Sequence, residues 1–408
     1  MLSMDGDGLG LAHQLVKDGN SVDVFIKDTR YKDSGRGIVN RVQSWRPHVA
    51  KADLVIGDMV GFGQYEETLR KLGKPLLGIS KWADHIELDR VMGLQLFEAA
   101  GIDVPETESY ETPESARHLV KVWRDPGYVL KPSGNLDTAK TYICRDKETL
   151  NWALEQYKAE QELIIQELID GIEVSTEGWF NGRDWIIPFS HTYEEKRFLD
   201  RDFGPNTGCM GNVVISTRGD RLVEQLLSPL TEILRNVGYR GPLDVNAIVT
   251  KERVYALEPT PRLGYDAIEA VMESLREPTL DVLFETAMGV KKEINMADTP
   301  SIAVRVSVRP WPHGDPKPGD MGLPIDIDPA AMNHIFLTDA MIEDDELKYA
   351  AGDGVVMKVT AGGGTVEEAR RRAYRTVNNI GLLDKQVRSD IGKRVPGDIK
   401  QLTEWGWL

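Results

Sequence analysis

Short apolar runs separated by helical or polar stretches open the chain. Leu2 to Met4, Val22 to Ile26, Leu54 to Ile56 and Pro75 to Ile79 each read as brief buried strands. Between the first two, Asp5-Gly6-Asp7-Gly8-Leu9-Gly10 reads as a glycine-rich turn and Leu11 to Val16 as the start of a helix. Strands alternating with helices predict a parallel, doubly wound layer. Apolar positions from Leu88 to Ala100 follow a helical period, Gly101 closes that helix, and Ile102 to Pro105 leads away from it, so a domain boundary is expected near residue 107.

The pattern then changes. Tyr128 to Pro132 is a strand carrying Lys131 near its end, and Leu163 to Leu168 is another. Glu173 to Phe180, a turn at Asn181-Gly182, and Trp185 to Phe189 predict a hairpin. Leu243 to Val249, a turn around Lys251-Glu252, and Val254 to Glu258 predict a second. Ile302 to Val308 starts a last domain that ends in a helical run from Thr365 to Asn379. A chain of 408 residues exceeds what one core usually holds. Three domains are expected, at 1–107, 108–298 and 299–408.

Charge narrows the function. A formal net charge of -16 argues against binding to a nucleic-acid backbone, which needs clustered Lys and Arg. An anionic ligand would have to be held by a local pocket. Two cysteines, Cys144 and Cys209, support neither a disulfide framework nor a zinc site, which suits a reducing cytoplasm. The first residues lack the pattern of a secretion signal, and no apolar run is long enough for a membrane helix, so no membrane partner is expected. The Gly6, Gly8, Gly10 turn departs from the G-x-G-x-x-G spacing of dinucleotide sites.

The stretch Asp202-Phe203-Gly204-Pro205-Asn206-Thr207-Gly208-Cys209-Met210-Gly211 is nearly free of large side chains. Its glycines let main-chain N–H groups approach an oxyanion, Pro205 stiffens the turn, and Asp202 can take the ammonium end of a small zwitterion. The same composition also suits an ordinary surface turn. This stretch resembles the D-x-G-P-N-T-G-G-M-G loop of the phosphoribosylamine–glycine ligases of purine synthesis, an ATP-grasp family, with Cys209 in place of one glycine. Gln166 to Ser175 is similar to that family's E-x-L-D-G-x-E-x-S segment, and Gly322 to Arg394 carries further matches, among them Asp390-Ile391-Gly392. The resemblance spans most of the chain. It implies an α/β (α+β) ATP-grasp fold, with an N-terminal doubly wound parallel-sheet domain and a small C-terminal α+β domain that completes the acceptor site.

The resemblance implies a carboxylate–amine ligase that uses ATP and Mg2+, with Mn2+ as an alternative metal, to convert glycine into an acyl phosphate. Lys131 takes the place of the lysine set against the α and β phosphates. The lid segment retains only Gly134 and Lys140, the latter one residue late. Adenine is expected near Gln166, Glu167 and Leu168, and ribose hydroxyls at Glu173. Glu258 is the expected magnesium carboxylate, and Thr260 stands where the family has a metal-binding asparagine. Asp244 on the partner strand is expected opposite Glu258, where it restores a second carboxylate, with Asn246 a lesser candidate. Arg262 is expected at the acyl phosphate, with Lys196 and Arg197, kept from the family's H-K-R triplet, beside it. The loop residues Asp202, Pro205, Asn206, Thr207, Gly208 and Gly211 are expected at the amino acid.

Three segments depart from the family. The G-N-G-G-R-E-H loop is replaced by Gly6 to Ala12, the G-P-E-A-P segment by Gly57 to Gly61, and the G-D-P-E segment by Gly264 to Ala267. All three belong to the side that would hold the phosphorylated amine. Three readings follow: phosphoribosylamine–glycine ligase with a rebuilt acceptor pocket, a ligase joining glycine or another small amino acid to a different amine, or a non-catalytic nucleotide-binding relative. A monomer or homodimer is expected.

Overall fold

The N-terminal layer is built from strands of two to four residues, the length the short apolar runs allow. In the computed structural model, which describes residues 1–132, 141–317 and 319–408, Leu2–Ser3, Asp23–Ile26 and Asn40–Arg41 pair in parallel. Val55–Ile56 and Leu76–Leu77 form a second parallel pair, and a bridge from Leu2 to Gly57 joins the two into one layer. The helix Leu9–Lys17 follows the glycine-rich turn as expected. Asn40–Arg41 carries no apolar signal and was not anticipated.

The helix expected over Leu88 to Ala100 is Arg90–Ala99, and a further helix that the pattern does not announce, Lys81–Leu88, precedes it. Asp89 separates them: its backbone is extended, and its carboxylate accepts from the N–H groups of Val91 and Met92, capping the second helix. That cap puts Arg90 at the first helical position.

A small lobe follows, a four-stranded antiparallel sheet in the order Thr107–Tyr110, Leu163–Glu167, Tyr128–Pro132, Tyr142–Cys144. It has its own core around Leu130, Leu150, Leu163 and Ile165. The lid expected at 133–140, with Gly134 and Lys140, lies outside the described residues.

The largest element is an eight-stranded antiparallel sheet. Its order is Val254–Thr260, Arg240–Val249, Ile172–Asn181, Trp185–Glu194, Gly211–Thr217, Ser301–Ser307, Val355–Gly362, Ile335–Leu337. Both predicted hairpins lie in it. Its last three strands come from beyond residue 299, so the sheet runs unbroken into the C-terminal part of the chain. This architecture is the mixed α/β arrangement expected.

Alternation along the strand Arg240–Val249 divides the large sheet chemically. Leu243, Val245 and Ala247 are buried in the main core, while Asp244 and Asn246 point to the other face. The neighbouring strand needs a correction to stay in phase. From Val249↔Val254 to Ala247↔Ala256 the register is regular, but Asn246 then pairs with Glu258 and Asp244 with Thr260. The extra residue, Leu257, is a bulge. Asp244 is therefore opposite Thr260 and diagonal to Glu258, not directly opposite Glu258 as expected. Without the bulge Glu258 would turn toward the core.

Leu243→Ala, at a position fully shielded from solvent, is expected to destabilise the protein by about 3 kcal/mol. Urea unfolding followed by tryptophan fluorescence measures this, and a loss under 1 kcal/mol would contradict the assignment of Leu243 to the core.

Candidate active site

Two adjoining cavities lie on the polar face of the large sheet. The smaller, about 320 Å³, is bounded by Lys131, Gln166, Arg90, Glu87, Glu258 and Arg262 among others. The larger, about 400 Å³, includes Lys196, Gly208, Asp244, Asn246, Glu258, Thr260 and Arg262. Met59, Glu258, Thr260 and Arg262 belong to both, so the cavities meet at those side chains.

Strand register explains the first cavity. Lys131 pairs with Ile164, and Val129 with Gln166, so Lys131 and Gln166 come from neighbouring strands and face the same side. Gln166 is buried, and its Nε2 donates to Thr107 Oγ1 at 3.1 Å. Glu167 and Leu168 are not brought into either cavity. Their N–H groups donate to the carbonyls of Glu106 and Gly127, at 2.9 Å each.

Opposite charges crowd the junction. Arg90 Nη1 donates to Glu258 Oε2 at 3.0 Å. Burial works against the Glu258 carboxylate, yet Lys131, Lys196 and Arg90 overcome it and hold its pKa down at about 2. Burial pulls the Lys131 ammonium down to about 8, with Glu258 resisting and Arg90 and Lys196 assisting. Lys196 Nζ lies 2.8 Å from Glu173 and 3.4 Å from Glu194. Glu173, expected at the ribose, is thus engaged by Lys196 and lies outside both cavity walls.

Arg262 is held in place by Glu87, whose Oε1 accepts from its Nε at 2.8 Å. Asp244, Asn246 and Glu258 offer oxygen ligands on one face of adjacent strands. Asp244 Oδ1 and Asn246 Oδ1 are both buried without a hydrogen-bond partner among the described residues. Burial, reinforced by Glu177 and Glu194, raises the Asp244 pKa well above the usual carboxylate range. Orphaned buried oxygens beside an ionised carboxylate fit a hard cation. No group of three or more His, Cys, Asp or Glu positioned to hold a metal unaided occurs among the described residues. Mg2+ characteristically takes one or two protein carboxylates and other oxygen ligands.

The signature loop is only partly in the site. Phe203–Asn206 is a strand paired with Arg197–Leu199, which turns the expected open loop into a hairpin. Gly208 lines the larger cavity, whereas Asp202, Pro205, Asn206, Thr207 and Gly211 do not. Asp202 is largely exposed, and its carboxylate accepts from Arg388 Nη1 at 3.0 Å, so the structure brings it to an arginine instead of to the cavity. Thr207 donates through both N–H and Oγ1 to the carbonyl of Lys196.

The three segments that depart from the family meet at the far end of the larger cavity, as Gly6 and Asp7, as Met59, and as Gly264 and Tyr265, with Asp5 beside the first. The C-terminal part adds Arg305, Trp311, Thr338, Asp339, Asp353 and Val355. Mutual repulsion adds to burial here. Asp353 is raised to about 6 by burial and then by Asp339, and Asp5 is raised by burial and then by Asp7 and Asp58. Arg305 is already committed, gripping Asp266 at 2.8 and 3.1 Å. Beneath it Lys358, fully buried, lies 3.3 Å from Glu269 and 3.6 Å from both Asp266 and Asp7.

Sequence reasoning missed Arg90, Glu87, Glu194, Arg305 and the Asp339–Asp353 pair. Arg90 carried a signal, since it follows a capping aspartate at a helix start. The others had none, because their neighbours in space are far away in sequence.

Residues 90–285 match the family model for the phosphoribosylglycinamide synthetase ATP-grasp (A) domain. The phosphoribosylamine–glycine ligase of Streptomyces coelicolor is 27% identical over 343 residues, 81% of each chain. That of Thermotoga maritima is 28% identical, over 77% of this chain and 82% of its own. The crystal structure of a Thermotoga maritima phosphoribosylamine–glycine ligase superposes with a TM-score of 0.73 at 23% identity, covering 96% of this chain and 99% of that one. A biotin carboxylase from Campylobacter jejuni shares the fold, with a TM-score of 0.64 at 13% identity over 95% of this chain and 92% of that one. The antiparallel sheet, the paired lobes and the match over residues 90–285 together make this chain similar to the phosphoribosylamine–glycine ligases over about four-fifths of its length.

Proposed function

We propose that this protein is an ATP-dependent carboxylate–amine ligase that converts glycine into an acyl phosphate and joins it to an amine, in the manner of the phosphoribosylamine–glycine ligases. The observation that carries this reading is the junction of the two cavities, where Glu258 and Arg262 stand between a smaller pocket lined by Lys131 and Arg90, suited to the nucleotide, and a larger pocket for the reacting groups. 5-Phosphoribosylamine is the first acceptor to expect, and the product is then glycinamide ribonucleotide.

The chemistry follows from charge. A carboxylate becomes an electrophile only when its oxygen is made a leaving group, and phosphoryl transfer from ATP does that. Such a transfer succeeds where cations are already aimed at the phosphoryl oxygens. Lys131 and Arg90 lie on the nucleotide side, and Arg262 spans both cavities with a planar guanidinium able to hold two oxygens at once. Asp244, Asn246 and Glu258 are the residues that would hold Mg2+, which would supply positive charge to offset that of the phosphate oxygens. Gly208 presents main chain to the reacting carboxylate without a side chain in the way. The amine enters from the far end of the larger cavity, attacks the acyl carbon, and phosphate leaves.

A second reading keeps the activation step and changes the acceptor. Asp5, Asp7, Asp339 and Asp353 line the end where the amine would enter, and the one arginine among them is paired to Asp266. That end favours an amine of positive charge over one bearing a phosphate. ADP release measured with glycine and 5-phosphoribosylamine, and in parallel with glycine and simple diamines, separates the two. Turnover confined to the phosphoribosylamine arm supports the first reading, and turnover confined to the diamine arm supports the second. No ADP release in any arm, with any small amino acid, would sink the ligase proposal.

Asp244→Ala is expected to lower magnesium-dependent ADP release by roughly 100-fold, because it removes an oxygen ligand while leaving the fold intact. Undiminished turnover at limiting magnesium would rule Asp244 out as a ligand.

ATP affinity should also depend on pH. Lys131 is protonated below about 8 and neutral above it, and phosphate oxygens favour the charged form. Apparent affinity is therefore expected to weaken roughly tenfold from pH 7 to pH 9, by single-proton linkage. Lys131→Arg should flatten that slope. Calorimetry in magnesium-containing buffer at both pH values reads the effect, and a slope identical in the variant would refute it.

A further inference from the structure

We infer that Arg388 is a positioning residue that sets Lys196 in the active site from outside the cavity. Arg388 is 2% exposed and lines neither cavity, yet its guanidinium makes five hydrogen bonds, one for each of its N–H groups. Nε donates to Asp390 Oδ1 at 2.8 Å. Nη1 donates to the Arg197 carbonyl and to Asp202 Oδ1, both at 3.0 Å. Nη2 donates to Glu195 Oε2 and Asp390 Oδ2, both at 3.3 Å. Two of these partners, Glu195 and Arg197, are the residues on either side of Lys196.

The contacts beyond Arg388 extend the grip. Ser389 N–H donates to Asp200 Oδ1 at 2.8 Å, and Arg201 N–H donates to Asp390 Oδ2 at 2.8 Å. Arg394 Nε holds the other oxygen of Glu195 at 3.1 Å, and its Nη2 donates to the Glu194 carbonyl at 2.9 Å. Ile391 packs where a Cβ on Gly211 would come within 3.0 Å. Residues 388–394 thus form a strap along the hairpin from Asp200 to Gly211. The hairpin needs it, because Arg201 and Asp202 both take left-handed backbone angles, with φ of 59° and 58°, which persist in non-glycine residues only when their surroundings over-determine them.

The fork geometry matters more than the charge. Lysine at 388 could satisfy one carboxylate but could not hold a carbonyl on one side of Lys196 and a carboxylate on the other. A loosened strap lets Lys196 drift from Glu173 and Glu194, and a displacement of about 1 Å at a reacting group can cost on the order of 100-fold in rate. ATP binding rests on Lys131, Gln166 and Arg90, none of which the strap touches.

The inference rests on the ligase reading, and one assay tests both. Arg388→Gln is expected to lower kcat for glycine-dependent ADP release by roughly 100-fold, with the Kd for ATP unchanged within twofold. Arg388→Lys is expected to recover less than a tenth of the loss, and Glu195→Gln to show the same split between kcat and Kd. Wild-type-like kcat in Arg388→Gln, or full recovery in Arg388→Lys, would overturn the inference. So would a parallel loss of ATP affinity and thermal stability in all three variants, which a merely structural role produces. Absence of turnover in the wild type would instead overturn the ligase reading. Should Arg388→Gln fail to fold, Glu195→Gln alone decides, because it removes a strap contact while retaining the buried guanidinium.

Discussion

The polar face of one antiparallel sheet depends on a single register shift. Leu257 is an extra residue, and by bulging it rotates Glu258 onto the face that already carries Asp244 and Asn246. An ionised carboxylate there requires cations close by, because burial alone would raise its pKa. Arg90, Lys131 and Lys196 supply them from a helix start, the small lobe and the hairpin entry. One strand irregularity thus draws together three parts of the chain that are remote in sequence.

The same electrostatic logic separates the two ends of the larger cavity. At the junction, positive and negative groups are matched, which suits phosphate and metal arriving together. At the far end, burial raises the pKa of Asp5 and Asp353, with Asp7 adding to the first and Asp339 to the second, and the arginine present is already paired. Three segments depart from the motifs of the phosphoribosylamine–glycine ligases that the chain resembles, and the fold gathers residues of all three into this one wall. On the proposed reading, activation chemistry and the choice of acceptor fall to different walls of a shared space, so that one can change while the other is kept.

The C-terminal part acts at both. Its strands complete the large sheet, its loops bring Asp339 and Asp353 to the acceptor end, and its strap holds the hairpin that carries Lys196. The Arg388 guanidinium at the centre of the strap is buried and fully hydrogen-bonded, so it holds the hairpin in one arrangement.

Local pattern in the chain was enough to determine most elements, because period-two and helical alternation depend on near neighbours. Both hairpins, the parallel N-terminal layer and the helix after Thr365 were legible that way, and the motif blocks brought Lys131, Glu258, Arg262 and Lys196 to attention. Only the tertiary structure decided which of the named residues meet. It took Asp202 to Arg388, left Glu167 and Leu168 in backbone pairing, and set Asp244 against Thr260. The reason is physical: a bulge changes register without changing hydrophobic pattern, and a buried ion pair joins residues whose separation along the chain no local period encodes.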